Sequence, residues 1–430
     1  MTALPNPFTT RPGAVKLPDQ NVVARFRDPA AEQWALEAAN ALADLTHFEV
    51  VCISGPDRHQ LLTTLSSQII TGLRPADSRE FLLFDPHGHI IAAAGVIDDG
   101  EVTWAITDPG CGQALADHIM KMRFASRVEA TLASELVVVG QVAARTVNHQ
   151  DGHSPLPNNR DLAKLLANFQ RGVTAHKHLS NGKEEEKAGH AGRIIGQWFD
   201  PWPGITAGGA SYTPADFHHP ASARVRVLTI LERSTLEIAL SAWEAGGGQL
   251  AGFEAWEALR VEDLRPRFST ECDDRTVAAE LDWLRTAVHL NKGCYCGQEA
   301  VARIINLGKP ARRLVLLQLD GSQARLPHPG DQVLAGNKQV GFLTTTVRHA
   351  DLGLMALALV RRGLRTDLEL EVMTSAGPIS AKQEVIVDPR GKSNVSPSQR
   401  PGVGLRRDVR GPVIGNAPAK AATANQGGNR

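Results

Sequence analysis

Apolar residues in AAEQWALEAANALADL recur every three to four positions, so Trp34, Ala38, Ala41 and Leu45 share one helical face. Asp28 and Pro29 stand where an N-cap and a first helical residue belong, which predicts a helix running from Pro29 to Leu45. The period then changes. HFEVVCISGPDRHQLLTTL reads as a strand over Glu49 to Ile53, a Gly55-Pro56 turn and a helix over Arg58 to Leu65. FLLFDPHGHIIAAAGVIDDGEVTWAIT predicts a meandering antiparallel sheet, with a turn at Pro86/Gly88 and a hairpin at Asp98-Asp99-Gly100. Between about Thr146 and Asp216 the pattern degrades into Pro, Gly, His and Asn around the charged run Lys183 to Lys187. It reads as a loop-rich insertion with one short helix over Asp161 to Gln170.

Order returns with the alternating strand Arg224 to Leu231, a helix over Leu236 to Ala245 stopped by Gly246-Gly247-Gly248, and a helical FEAWEALRVEDLRPRF as far as Pro266. From Arg313 the period is two. LVLLQLDG, QVLAG, QVGFLTTTV, LMALALV and LELEV are parted by turn residues, which predicts a small β-barrel or sandwich. After Asp388 apolar content falls, and Pro389 to Arg430 reads as a disordered tail. The organisation expected is an N-terminal leader (1–26), a main region (27–309) carrying the insertion at about 146–216, a barrel (310–388) and the tail (389–430).

A chain of 430 residues supports two or three domains. Its 46 basic and 46 acidic side chains cancel, and no stretch is strongly basic, so nucleic acid is not expected as a partner. Cys52, Cys111, Cys272, Cys294 and Cys296 form neither a disulfide framework nor a CxxC zinc site, which suits a reducing cytoplasm. MTALPNPFTTRPGAVK lacks the apolar run of a secretory signal, and the apolar window Phe81 to Ile97 is broken by Asp85, Pro86, His87 and His89. A soluble protein with no membrane segment is expected. His176, His178 and His190 show no paired helical spacing and read as exposed loop residues, so no metal site is assigned.

The chemistry concentrates in HLNKGCYCGQEAVARIINLG. Ala300, Val301, Ile304 and Ile305 share a helical face closed by Gly308, which puts Cys294 just ahead of a helix N-terminus. If Lys292 to Cys296 are extended, Lys292, Cys294 and Cys296 point the same way. An ammonium and a helix dipole both favour the thiolate, so Cys294 is a candidate reactive or metal-accepting thiol poised by Lys292. Taken alone, a cysteine in a cytosolic domain is more often a small buried hydrophobe.

Lys292-Gly293-Cys294-Tyr295-Cys296-Gly297-Gln298-Glu299, with Arg303 downstream, resembles the KGCYxGQE signature of the YgfZ-type proteins of the aminomethyltransferase superfamily. VVCISGPDRHQLLTTL and QVGFLTTTVRHADLGLMALALV are similar to further family segments, so the resemblance covers roughly Thr46 to Ile386 apart from the insertion. It implies an α+β fold: a folate-binding aminomethyltransferase-like core of antiparallel sheets with helices, then the barrel. It also implies a central channel for tetrahydrofolate. Leu259-Arg260-Val261-Glu262 matches the family's LRxE element, so Glu262, with Arg260, is the implied pterin-binding pair; a solvated helix-surface acid is the alternative for Glu262.

The implied role is an accessory one in iron–sulfur cluster assembly or repair. Its partners would be client enzymes or assembly proteins, a transient cluster would meet Cys294, and Gln298, Glu299 and Arg303 would shape the helix entrance. A folate-dependent aminomethyltransferase or demethylase is the alternative, and a tRNA-modification factor a third reading. Against the transferase, Ala93 stands where the enzymes carry an aspartate, and Ser67-Gln68 replace their Asn-Asp. Asp98 and Asp99 read as hairpin-turn residues, and Cys296, at the variable position of the signature, as incidental.

Overall fold

Alternating side chains and tight turns set the strands around which the fold is built. A computed structural model describes residues 6–75, 77–144, 162, 164–165, 193–307, 309–323 and 326–398. The strands of the first half are β1 (Val15–Lys16), β2 (Val23–Arg25), β3 (Ala41–Asp44), β4 (Glu49–Ser54), β5 (Arg79–Phe84), β6 (Ile90–Asp98), β7 (Val102–Thr107), β8 (Glu129–Leu132) and β9 (Leu136–Ala144). β10 (Ile194–Phe199), β11 (Arg224–Glu232) and β12 (Gln249–Ala251) follow. The barrel strands are β13 (Arg312–Leu319), β14 (Gln332–Ala335), β15 (Lys338–His349), β16 (Gly353–Arg361), β17 (Leu370–Thr374) and β18 (Gly377–Val385). The longer helices are α1 (Pro29–Glu37), α2 (Arg58–Leu65), α3 (Gly112–Met122), α4 (Leu236–Ala245), α5 (Phe253–Glu262) and α6 (Gln298–Asn306).

One five-stranded sheet runs β5-β6-β7-β4-β8, the expected meander plus two strands. A second runs β10-β11-β9-β3-β12, and β13-β16-β15-β14-β17-β18 close into a barrel that leaves no edge exposed. The α+β class and the barrel are therefore as the sequence predicted. Met1–Ser396 forms one unit and Pro397–Arg430 another, of which two residues are described. A core of Phe84, Trp202, Tyr212, Val261, Tyr295, Leu316 and their neighbours joins the meander, α5, α6 and the barrel. No helix among the described residues is long and apolar enough to cross a membrane.

Several expectations need correction. The predicted helix from Pro29 to Leu45 ends at Glu37, because Ala39 takes φ +55 and the chain turns into β3. β3 lies between β12 and β9 and is buried along its whole length. Such a continuous apolar strand satisfies a helical period as easily as an extended one. Trp34 accordingly lies outside the core, 49% exposed, with its indole donating to Asp351. Within the loop-rich 146–216 stretch, Ile194–Phe199 is a strand paired with β11, and Trp202 and Tyr212 are core residues. The predicted helix over Asp161 to Gln170 has Leu162, Lys164 and Leu165 helical, and its other residues lie outside the described ones. Lys183 to Lys187, His176, His178, His190 and Gly308 also lie outside them.

Residues 6–26 join the fold: Phe8 and Val23 are buried beside Leu42 and Trp243. At the other end, the backbone N–H of Asn394 donates to the carbonyl of Ser211 and its side chain accepts from Ser211 N, so residues just past Asp388 are packed. Residues 399–430 lie outside the described ones.

Candidate functional site

The KGCYCGQE segment is a bent loop leading into α6, and the bend sorts its side chains. Lys292 is buried, Gly293 and Cys294 are exposed, Tyr295 is buried, and Cys296 is exposed. The extended arrangement with Lys292 on the side of the two thiols is therefore corrected: Lys292 turns inward with Tyr295. Its Nζ donates to the carbonyls of Thr63 (2.6 Å) and Ser66 (2.7 Å) at the end of α2, and lies 4.6 Å from the centre of the Tyr295 ring. A cation there meets the unsatisfied carbonyls and the negative end of the helix dipole. Burial pushes the Lys292 pKa down to about 8, an effect that the nearby Cys294 opposes. Burial also raises the Tyr295 phenol to about 12.

Gly297 caps α6 with φ +79, a conformation that side chains rarely adopt. Glycine is required there for space as well. A Cβ would stand 2.6 Å from the carbonyl oxygen of Asp85 and 3.1 Å from Gly88 Cα, because the β5–β6 turn packs directly on the helix start. Gln298 reaches back to the carbonyl of Lys292 at 3.5 Å, while Glu299 and Arg303 are exposed and make no ion pair among the described residues. Ser67 and Gln68 are buried, and their side chains donate to the carbonyls of Ala287 (2.6 Å) and Thr286 (3.1 Å), holding the short helix Leu284–Ala287 that precedes the loop. Ala93 lies half-buried on β6 opposite Leu82.

Glu262, the last residue of α5, belongs to a second constellation. Arg224 at the start of β11 ion-pairs with Glu262, with Glu37 at the end of α1 (3.0 Å) and with Asp263 (2.8 Å). His349 at the end of β15 completes the group, its Nε2 lying 3.2 Å from Glu262 Oε2. His349 Nδ1 accepts from the backbone N–H groups of Asp351 and Leu352, which assigns the ring proton to Nε2 and makes it a donor to the carboxylate. Burial alone would raise the Glu262 pKa, but His349 and Arg224 outweigh it and hold the carboxyl below its ordinary range. Both contacts fall on Oε2, leaving Oε1 as an ionised acceptor without a hydrogen-bond partner among the described residues. Glu37, Glu262 and His349 offer donor atoms within 4.8 Å of one another, the geometry of a cation site, but the guanidinium of Arg224 already supplies the positive charge.

Arg260 behaves differently from Glu262. It is buried and saturated, bound to Glu257 (2.9 Å), Glu271 (2.9 Å), the Arg265 carbonyl (2.6 Å) and Thr345 (2.9 Å), and so ties α5 to the barrel. No hydrogen bond or ion pair among the described residues links the Cys294 loop to the Glu262 group. Asp98, read as a turn residue, does cap the hairpin through Gly100 N. It is also a buried carboxylate that binds Arg58 (2.9 Å), His59 (2.8 Å) and Thr103 (2.5 Å). Sequence reasoning missed Arg224, Glu37 and His349. The helix-end acid and barrel-end histidine are too far apart in sequence to signal their meeting.

No protein-family model matches the chain. In sequence it is similar to a chloroplast protein of Arabidopsis thaliana named as a transferase, with 34% identity over 110 residues, 25% of this chain and 24% of that protein. It is also similar to the tRNA-modifying protein YgfZ of Escherichia coli O6:H1, with 28% identity over 169 residues, 38% of this chain and 50% of that one. The YgfZ of Edwardsiella ictaluri is 32% identical over 133 residues, 30% and 40% of the two chains. The chain thus spans half or less of the length of these curated relatives. Among solved structures it shares the fold of the glycine cleavage system aminomethyltransferase T from Bartonella henselae. The TM-score is 0.62 and the identity 13%, covering 87% of this chain and 94% of that one.

Proposed function

We propose that this chain, which shares the fold of an aminomethyltransferase and is similar in sequence to YgfZ proteins, binds tetrahydrofolate at Glu262 and serves iron–sulfur enzymes through Cys294. The observation that carries the reading is the pair of groups left unspent at the two motifs: the free, ionised Oε1 of Glu262 and the exposed thiol of Cys294. The Glu262 group fits a folate. An ionised carboxylate oxygen suits the amino-pyrimidine edge of a pterin, which presents N–H donors, and Arg224 and His349 hold that carboxylate in one orientation. Bound tetrahydrofolate would supply a one-carbon carrier. Arg260 acts here as a positioning residue, fixing α5 against the barrel.

Cys294 is the thiol that meets a cluster, iron or client protein from the solvent side, while Lys292 pins the loop from beneath. The compartment proposed is the cytoplasm, where cysteines remain reduced thiols. The transferase reading lacks a carboxylate at Ala93 to handle a proton. The tRNA reading is favoured by the name of the YgfZ relatives, tRNA-modifying proteins, while the zero net charge of this chain works against direct RNA contact.

The test is genetic and biochemical. Cys294→Ala should keep the wild-type fold and tetrahydrofolate affinity yet abolish rescue of iron–sulfur enzyme activity in cells lacking the protein; full rescue overturns the role. Glu262→Ala should weaken tetrahydrofolate binding by roughly ten- to a hundredfold, the worth of a hydrogen-bond acceptor that carries charge. Unchanged affinity in that variant removes Glu262 from the site.

A further inference from the structure

We propose that Cys294, Cys296, His87 and His89 form a binding site for a borderline divalent transition-metal ion, with zinc as the type. The proposal goes beyond the folate and cluster reading and shares only Cys294 with it.

Two short segments each carry a pair of soft or borderline donors two residues apart: Cys294-Tyr295-Cys296, with both thiols exposed, and His87-Gly88-His89, with His87 exposed and His89 half-buried. The fold sets them side by side. A Cβ on Gly297 would meet Gly88 Cα at 3.1 Å, and a Cβ on Gly88 would meet Ala300 Cβ at 2.8 Å, so glycines at both positions let the two backbones touch. Four donors of the cysteine and imidazole kind match the coordination preference of zinc, which takes thiolate sulfur and imidazole nitrogen in tetrahedral sets.

The state of His89 is an independent pointer. Its Nδ1 lies 2.9 Å from Asp85 Oδ2, and Asp85 Oδ1 accepts the backbone N–H groups of His87 (2.8 Å) and His89 (2.9 Å). The carboxylate thus fixes the ring, directs its proton to Nδ1 and leaves Nε2 without a partner among the described residues. This is the carboxylate–histidine pairing that orients imidazoles toward metals. The His87 ring lies 5.8 Å from that of His89, and neither thiol makes a hydrogen bond among the described residues.

The four donor atoms do not converge on one point in the structure, so the proposed site closes on metal binding, by rotation of the Cys294, Cys296 and His87 side chains toward the ring that Asp85 holds. Binding would release the thiol protons, and two thiolates would neutralise the dication, so affinity should rise with pH.

Cobalt(II) chloride titrated into the reduced full chain tests this directly. One ion per chain should bind with thiolate-to-cobalt charge-transfer absorption and the visible bands of a tetrahedral site, and zinc should displace it. Cys296→Ser and His89→Ala should lose those bands while keeping the wild-type melting temperature. Asp85→Asn should weaken binding by roughly 10–100-fold, the usual effect of removing an outer-shell partner. Replacing His176, His178 and His190 by Ala should change nothing. Absence of charge-transfer bands in the wild type, their persistence in Cys296→Ser, or their loss with the three loop histidines overturns the proposal. Because Cys296→Ser and His89→Ala retain Cys294, rescue by these variants separates failure of the metal site from failure of the iron–sulfur role.

Discussion

Replacing Lys292 by Met tests how the loop is anchored. Its ammonium is buried, and burial pushes the pKa from the ordinary 10.5 down to about 8, which costs about 3 kcal/mol at neutral pH. Against this stand two hydrogen bonds from a charged donor, to Thr63 and Ser66, each contributing about 1.5–3 kcal/mol. The contact with the Tyr295 ring adds about 0.5–2 kcal/mol. The balance favours lysine by about 2 kcal/mol at neutral pH, since Met keeps the apolar stem but strands both carbonyls. Its pH dependence has a defined sign. Between pH 8 and 10.5 the unfolded lysine still binds a proton that the folded one has released, so wild-type stability from this group rises through that window. It is fully present above the unfolded pKa and lost as pH falls through the folded one. Chemical denaturation of both proteins at neutral pH and at about pH 9.5 should show Lys292→Met less stable at both, with the gap widening by about 2 kcal/mol at the higher pH. A gap that stays flat or narrows would mean that the ammonium is not desolvated, and would refute the inward placement of Lys292.

Asp98 should govern part of the acid limb. Burial would raise its carboxyl, but Arg58, Thr103 and His59 outweigh burial and hold it down at about 2, so stability present above the ordinary carboxylate range is lost as pH falls toward that value. Asp98→Asn should cost about 3 kcal/mol at neutral pH by stranding Arg58, and should flatten the unfolding curve between about pH 4 and 2; an unaltered acid limb contradicts this. Gly297→Ala should lower stability by about 2 kcal/mol, from its φ of +79 and the Asp85 carbonyl 2.6 Å from the new Cβ, and a wild-type melt would show the turn contact to be soft. His349→Ala should weaken tetrahydrofolate binding severalfold, less than Glu262→Ala, since Arg224 still holds the carboxylate; calorimetric titration of both variants gives the order.

The elements most legible in the sequence were those with strong local punctuation. Arg58–Leu65 and Leu236–Ala245 have the predicted bounds because a Gly-Pro turn precedes one and three glycines end the other. The barrel was legible because period two is interrupted by turn residues. What failed was local ambiguity resolved by distant partners. Ala41–Asp44 became a strand because β9 and β12 were there to pair with it, and Ile194–Phe199 because β11 was. The same limit applied to the sites. The signature could be read residue by residue, but nothing in its spacing shows that Lys292 would be drawn inward by carbonyls more than two hundred positions away.

That inward turn changes what the signature can do. The ammonium of Lys292 donates to two carbonyls and faces an aromatic ring, so most of its charge is committed to closing α2 and fixing the loop. The outer face then presents two thiols, and the Asp85–His89 pair belongs to the turn on the other side of the Gly88–Gly297 contact. Glu262 follows the opposite logic: Arg224 of β11 and His349 of β15 converge on one oxygen, which leaves the other without a hydrogen-bond partner among the described residues. Each motif is rigid where it joins the fold and unsatisfied where it leaves it. A residue retained only for packing has no reason to show that division, and it places the chemistry of this chain in what arrives at its surface.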